Sequence, residues 1–113
     1  IEQRNPDPAG NIYLQYAVLL ASGLDGIERE LEPPEPIEKN IYHLTAEERE
    51  MFKVQSLPGD LGEALDLMEG SEFIWETLGE TLMSRLLSLK RRDFHDYRNQ
   101  VTPWEIEHQL PQL

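Results

Sequence analysis

Prolines set the first limits on what this chain of 113 residues can fold into. A proline fixes its own φ and lacks a backbone N–H, so a helix interior does not tolerate it. Pro6 and Pro8 therefore forbid a helix through Asn5-Pro6-Asp7-Pro8-Ala9-Gly10-Asn11, a run dense in turn formers. Pro33, Pro34 and Pro36 make Glu32 to Pro36 a stiff, extended linker. Ser56-Leu57-Pro58-Gly59 is a further break, and Pro103 fits a helix only at its first position.

Between these breaks the apolar residues follow a helical period. Tyr13, Tyr16, Leu20, Leu24 and Ile27 recur at spacings of three and four, with Ala17 and Ala21 in the same stripe and Asn11 as the N-cap. The pattern predicts a long helix within 11–32 that ends near Glu30. Gly23 and Gly26 each cost about 1 kcal/mol against Ala in a helix, so they are expected to permit close packing or mark a bend. Residues 33–44 read as the Pro-rich linker and an exposed loop holding Tyr42. Region 45–101 is expected to be helical in pieces. Thr45-Ala46-Glu47-Glu48 has capping-box spacing, Asp60 caps a helix through Leu61, Leu65 and Met68 that stops at Gly70, and Ser71 opens a segment up to Gly79. A longer helix follows from about Glu80 to Arg98, with Met83, Leu86, Leu87 and Phe94 on its apolar side. Thr102-Pro103-Trp104-Glu105 is a second capping box, which predicts a short helix in 102–113. Residues 1–10 alternate apolar and charged at their start, as the end of a strand does, before turning. The expected fold is mainly α with a short N-terminal strand remnant, and no internal repeat is visible.

Charge narrows the function classes. Ten basic residues face 22 acidic ones, a formal net charge of −12 and a pI near 4.5. Nucleic-acid binding needs a surplus of Lys and Arg on some face, so nucleic acid is excluded as a partner. The one basic cluster, Lys90-Arg91-Arg92, reads as positive charge late in a helix, complementing the helix dipole. Cysteine is absent, which rules out disulfides, thiol nucleophiles and cysteine metal sites in this chain and is compatible with the cytosol. No apolar run approaches the ~18 residues of a membrane span, so no membrane association is expected. The chain opens without Met on what reads as the middle of a strand, and is expected to be a piece of a longer protein.

Few residues could carry chemistry. Glu2 and Arg4 form an i, i+2 pair, about 7 Å apart on one face of a strand. They read either as an ordinary surface charge pair, or as a carboxylate for a divalent cation beside a guanidinium for a carboxylate or phosphoryl group. His43, His95 and His108 show no zinc-type spacing and read as solvated or packing side chains. Tyr42 is expected to lay its ring on neighbouring surface, and Trp75 and Trp104 to be core or interface anchors. No Ser-His-Asp order, Gly-rich phosphate loop or nucleotide fingerprint appears.

Several motifs in one order change that reading. Ile1-Glu2-Gln3-Arg4-Asn5-Pro6-Asp7-Pro8, then Asn11-Ile12-Tyr13-Leu14, then Ala21-Ser22-Gly23-Leu24-Asp25-Gly26-Ile27 resemble the end of the glutamine synthetase catalytic domain. Pro33-Pro34-Glu35-Pro36, Lys39-Asn40-Ile41-Tyr42, Leu57-Pro58-Gly59-Asp60-Leu61-Gly62-Glu63-Ala64-Leu65 and Tyr97-Arg98-Asn99-Gln100-Val101-Thr102-Pro103-Trp104-Glu105 are similar to the bacterial and archaeal type I form. Ile12 stands where the family commonly has proline, and Gln3 where it commonly has an apolar residue. The resemblance implies the helical C-terminal part of the α+β catalytic domain of an enzyme that joins glutamate and ammonia with ATP through γ-glutamyl phosphate. The rest of its active site would lie upstream, and this chain alone would be inactive. It implies Mg²⁺ or Mn²⁺ held partly by Glu2, and Arg4 on glutamate and its γ-glutamyl phosphate. It also implies a cytoplasmic dodecamer of two stacked hexameric rings, with 102–113 as a docking helix anchored by Trp104, Ile106 and Leu110. Tyr42 matches the tyrosine that some type I members carry as an adenylylation target, although the Lys-Asn-Ile-Tyr pattern and the tail resemble the branch without that control. The alternatives are a γ-glutamyl-amine (polyamine) ligase of the same family, a pseudoenzyme, or a non-catalytic helical assembly module.

Overall fold

The computed structural model describes residues 2–112, and it is mainly helical. The chain divides into two compact units, one up to Pro58 and one from Gly59.

In the first unit α1 (Ile12–Glu28) starts where the cap predicts. The Asn11 side chain accepts from the N–H groups of Tyr13 at 3.0 Å and Leu14 at 3.2 Å. It stops two residues before the expected Glu30, through a backbone device rather than through the prolines. Glu30 takes a left-handed φ of 49°, its N–H donates to Ile27 O at 3.1 Å, and the Leu31 N–H donates to Gly26 O at 2.9 Å. This is a Schellman end built on glutamate instead of the usual glycine. A short 3₁₀ turn (Ile41–His43) and α2 (Ala46–Met51) follow. The end of α2 repeats the device, with Lys53 at φ 53° and the Val54 N–H on Arg49 O at 2.8 Å. Thr45 and Glu48 form the expected capping box.

No residue of α1 is buried within the described chain, and its apolar stripe from Tyr13 to Ile27 faces solvent. A methyl group added at Gly23 or Gly26 would meet nothing within 4 Å, so neither serves the close packing expected of them here. The N-terminal strand is not formed either. Glu2 to Arg4 carry no regular secondary structure, because a strand needs a paired neighbour and none exists among the described residues. Ile1 lies outside them.

The second unit holds the core. The helices α3 (Leu61–Glu69), α4 (Glu72–Leu78) and α5 (Glu80–Arg98) pack together, and α6 (Pro103–Gln109) runs into a 3₁₀ turn at Leu110–Gln112. Asp60, Ser71 and Thr102 cap α3, α4 and α6 through their side chains. Gly79, at φ 79°, makes the sharp joint between α4 and α5 that a side chain would strain. Leu65, Met83 and Leu87 are buried, with Met68, Ile74, Trp75 and Leu78 packed around them. The Trp75 indole N–H donates to Glu69 O at 2.7 Å, so Trp75 is the core anchor expected of it.

The basic cluster on α5 has a different job from the one the sequence suggests. Arg91 donates to Asp66 at 2.8 Å and also to Glu69, tying α5 to α3, while Lys90 pairs with Asp93 at 3.0 Å. These residues lie too far from the end of α5 for the helix dipole to matter, since that effect fades within the last turn.

Phe94 of α5 packs against α3 at Gly62, where a Cβ would come within 2.6 Å of Phe94 Cε1. Gly62→Ala should therefore destabilise the protein by about 1–3 kcal/mol in urea unfolding. Gly23→Ala, in open space, should be neutral or add up to about 1 kcal/mol. Equal effects from the two substitutions would contradict the packing described.

Candidate functional site

The N-terminal segment positions two side chains of opposite charge. Arg4 Nε donates to Glu2 Oε1 at 2.6 Å, and Gln3 donates to Asn5 Oδ1 at 2.9 Å. Two interleaved i, i+2 bonds fit an extended backbone, in which alternate side chains share a face. The Pro-Asp-Pro turn after them is fixed to the start of α1. The Asp7 side chain accepts from the Ala9 N–H at 2.8 Å, and the Asp7 carbonyl accepts from Gly10 N–H at 2.9 Å and from the Gln15 side chain at 2.8 Å. Gln15 is a positioning contact that sequence reasoning missed, because an eight-residue reach-back leaves no periodic signal.

The Glu2 and Arg4 side chains are 72% and 83% exposed, so in this chain they form a solvated ion pair worth little on its own. Their chemistry is nevertheless suited to anions and cations together. A carboxylate has about four lone-pair sites, so one bond from Arg4 leaves it able to take a hard cation. Among the described residues no group of three or more His, Asp or Glu side chains gathers as a metal cage. Glu2 can thus supply one ligand of a set, which fits a divalent site completed by other carboxylates.

Tyr42 sits on the 3₁₀ turn and is 86% exposed, not laid on neighbouring surface as expected. The backbone around it is held by side chains from both sides. Asn40 accepts from the Tyr42 N–H at 3.1 Å, and Arg49 of α2 donates to Ile41 O at 3.1 Å. Lys39 pairs with Glu48 at 2.9 Å and lies 5.4 Å from the Phe52 ring centre. The Thr45 N–H, first, and Lys39, second, hold the Glu48 carboxyl below its ordinary range.

The named anchors Trp104 and Ile106 in α6 and Leu110 in the 3₁₀ turn after it are all exposed, and the Trp104 ring stacks on His108 with centroids 4.5 Å apart. The His108 Nδ1 lies 2.9 Å from Trp104 O. His95 is exposed on α5 beside Asn99, 2.9 Å away, one of the solvated histidines.

The glutamine synthetase catalytic-domain model matches residues 1–109 of this chain. The chain belongs to the glutamine synthetase family. It is 43% identical over 97% of its length to glutamine synthetase of Thermotoga maritima, and 46% identical over its whole length to that of Methanosarcina mazei. It is also 46% identical over 96% of its length to the Thermus thermophilus glutamine synthetase. The chain spans about a quarter of the length of these glutamine synthetases. Among the described residues no helix is long and apolar enough to cross a membrane.

The second capping box yields a pH prediction. The Thr102 N–H at 2.7 Å and the Thr102 hydroxyl at 3.0 Å both donate to Glu105, and they hold its carboxyl below the ordinary range. A depressed folded-state value means the cap stabilises α6 above the unfolded glutamate pKa and is lost as pH falls through the folded value. The Thr102 amide proton should titrate in NMR spectra with a midpoint below that of an unstructured glutamate. A midpoint at or above the unstructured value would contradict the capping geometry.

Proposed function

We propose that this chain is the C-terminal part of a glutamine synthetase that forms glutamine from glutamate and ammonia, with ATP hydrolysis and a γ-glutamyl phosphate intermediate. The observation that carries the reading is the family match over residues 1–109, which includes the paired Glu2 and Arg4. As a piece spanning a quarter of its relatives' length, the chain by itself is proposed to be inactive.

In the assembled active site Glu2 would be one ligand of Mg²⁺ or Mn²⁺, which when bound offsets charge on transferring phosphoryl oxygens. The role of Arg4 is electrostatic and geometric. Its planar, permanently charged fork would hold the glutamate carboxylate and the anionic γ-glutamyl phosphate in one orientation. The i, i+2 spacing supports this, because it puts the carboxylate and the guanidinium on one face, from which both would reach the same reacting group. Transfer of a phosphoryl group rests mostly on positioning and charge neutralisation, so this division of labour suits the reaction.

The protein is further proposed to be cytoplasmic and to assemble as two stacked hexameric rings. The exposed Trp104 and Ile106 on α6, with Leu110 on the turn after it, support a docking arm, since an exposed aromatic with aliphatic neighbours is an interface feature. Tyr42 is exposed enough for a modifying enzyme to reach, while the Lys39-Asn40-Ile41-Tyr42 pattern favours the branch without adenylylation.

Phosphate release by the full-length protein with glutamate, ATP and Mg²⁺ tests the reading, with ammonia compared against a panel of amines. Ammonia-dependent release with glutamine as product is expected. Release only with a larger amine would move the protein to the γ-glutamyl-amine ligases, and silence from folded, assembled protein would favour a pseudoenzyme. Light scattering reads the assembly: a twelve-subunit mass is expected, and a monomer would contradict it.

A further inference from the structure

The cations on α5 are unevenly used. Arg91 and Lys90 are committed to carboxylates of their own unit, and Arg98 lies 5.9 Å from the Phe94 ring centre. Arg85 and Arg92 are exposed and make no ion pair among the described residues. At about 100° per residue they fall together on the side of α5 opposite Met83 and Leu87. Leu82 and Leu89, 41% and 45% exposed, form a row along one side of them, and Thr81 and Ser88 a row along the other. Two shallow depressions lie along this face and meet at Arg85. In a chain of net charge −12, this is a basic stripe with an apolar edge and no ion pair among the described residues, with Asp96, one turn beyond Arg92, the acid of its C-terminal end.

The same chain carries a matching acidic ridge. Glu32, Glu35 and Glu38 recur every third residue, all three are exposed, and none makes an ion pair among the described residues. Pro33, Pro34 and Pro36 lie between them, and the run from 32 to 38 contains neither helix nor strand. In the polyproline-type conformation that these prolines favour, with three residues per turn, the three carboxylates would line up on one face. Successive ones are then separated by about 9 Å along that segment. Arg85 and Arg92, seven residues apart on an α-helix, are separated by about 10.5 Å along its axis. Prolines flanking the acids would lie against Leu82 and Leu89, and their rigidity lowers the ordering cost of docking.

We propose that the Arg85–Arg92 face of α5 receives the Glu32–Glu35–Glu38 ridge of a second copy of this chain. Charge, spacing and apolar edges agree, and the chain's own sequence supplies the occupant. A patch this small does not hold two proteins together alone, since stable interfaces need roughly 1,000 Å² or more. The contact is one element of a larger interface and therefore rests on the oligomeric reading given above.

Engineered cysteines test it in full-length protein, with any cysteine outside this chain replaced, since the chain itself has none. Ser88→Cys lies between the two arginines. Pro34→Cys and Ile37→Cys, each combined with it in the full-length protein, cover the two registers that place a pair of glutamates on the pair of arginines. After bridging with a short bis-maleimide, denaturing gels should show linked dimers and larger ladders that the single-cysteine variants lack. Arg85→Glu with Arg92→Glu should abolish the ladder, and adding Glu32→Lys, Glu35→Lys and Glu38→Lys should restore it. Linkage within one chain would assign the ridge to its own α5 and overturn the proposal. Assembled protein by light scattering with no linkage would overturn this contact alone. Monomeric protein with no linkage would overturn both this contact and the oligomeric reading.

Discussion

The closure of α3, α4 and α5 around Met83 is what the C-terminal unit depends on. Met83 is fully buried, and Leu65 and Leu87 are the other buried apolar residues of the described chain. So small a core can hold three helices because other contacts share the work. Gly62 lets Phe94 approach the backbone of α3, Arg91 clamps Asp66 and Glu69, and Trp75 donates to the end of α3. Each of these acts between helices, so losing one loosens the packing of all three. The first unit has no comparable core. Its α1 has only two charged residues, Asp25 and Glu28, yet exposes its apolar stripe. A helix that is apolar over most of its surface belongs in the interior of something larger.

Local chemistry was the legible part. Asn11, Thr45, Asp60, Ser71 and Thr102 all cap the helices that the sequence assigns to them, because a cap is decided by a few consecutive residues. The bounds of α5 and its buried Met83 and Leu87 follow from periodicity in the same way. What failed was non-local or sterically unusual. Left-handed Glu30 and Lys53 end helices where glycine would have been the readable signal. Arg91 reads as a dipole partner until its carboxylates, more than twenty residues away, are seen beside it. The strand expected at Glu2 to Arg4 depends on a pairing neighbour that sequence in the window cannot supply.

The site divides along the same line. That Glu2 and Arg4 share a face was legible from the alternation of an extended chain, and their side chains do meet. Nothing local separates a solvated ion pair from a ligand pair for metal and anion. The family membership supports the second reading, and the Asp7 turn fixes the segment that follows the pair to the start of α1. The exposure of Tyr42 departs from expectation on a turn held by Asn40 and by Arg49 of α2, and the Arg49 contact, eight residues away, has no signal in the local sequence.

Everything proposed for the chemistry turns on Glu2 as a metal ligand of the glutamate–ammonia ligation site. The most direct test is calorimetric titration of Mn²⁺ into the full-length protein and its Glu2→Gln variant, with turnover measured across Mg²⁺ concentrations on the same samples. A ligand role predicts that the variant binds the metal at least about tenfold more weakly and loses turnover by a similar factor, a difference on the order of 1.4 kcal/mol. Unchanged metal affinity and unchanged turnover would contradict it.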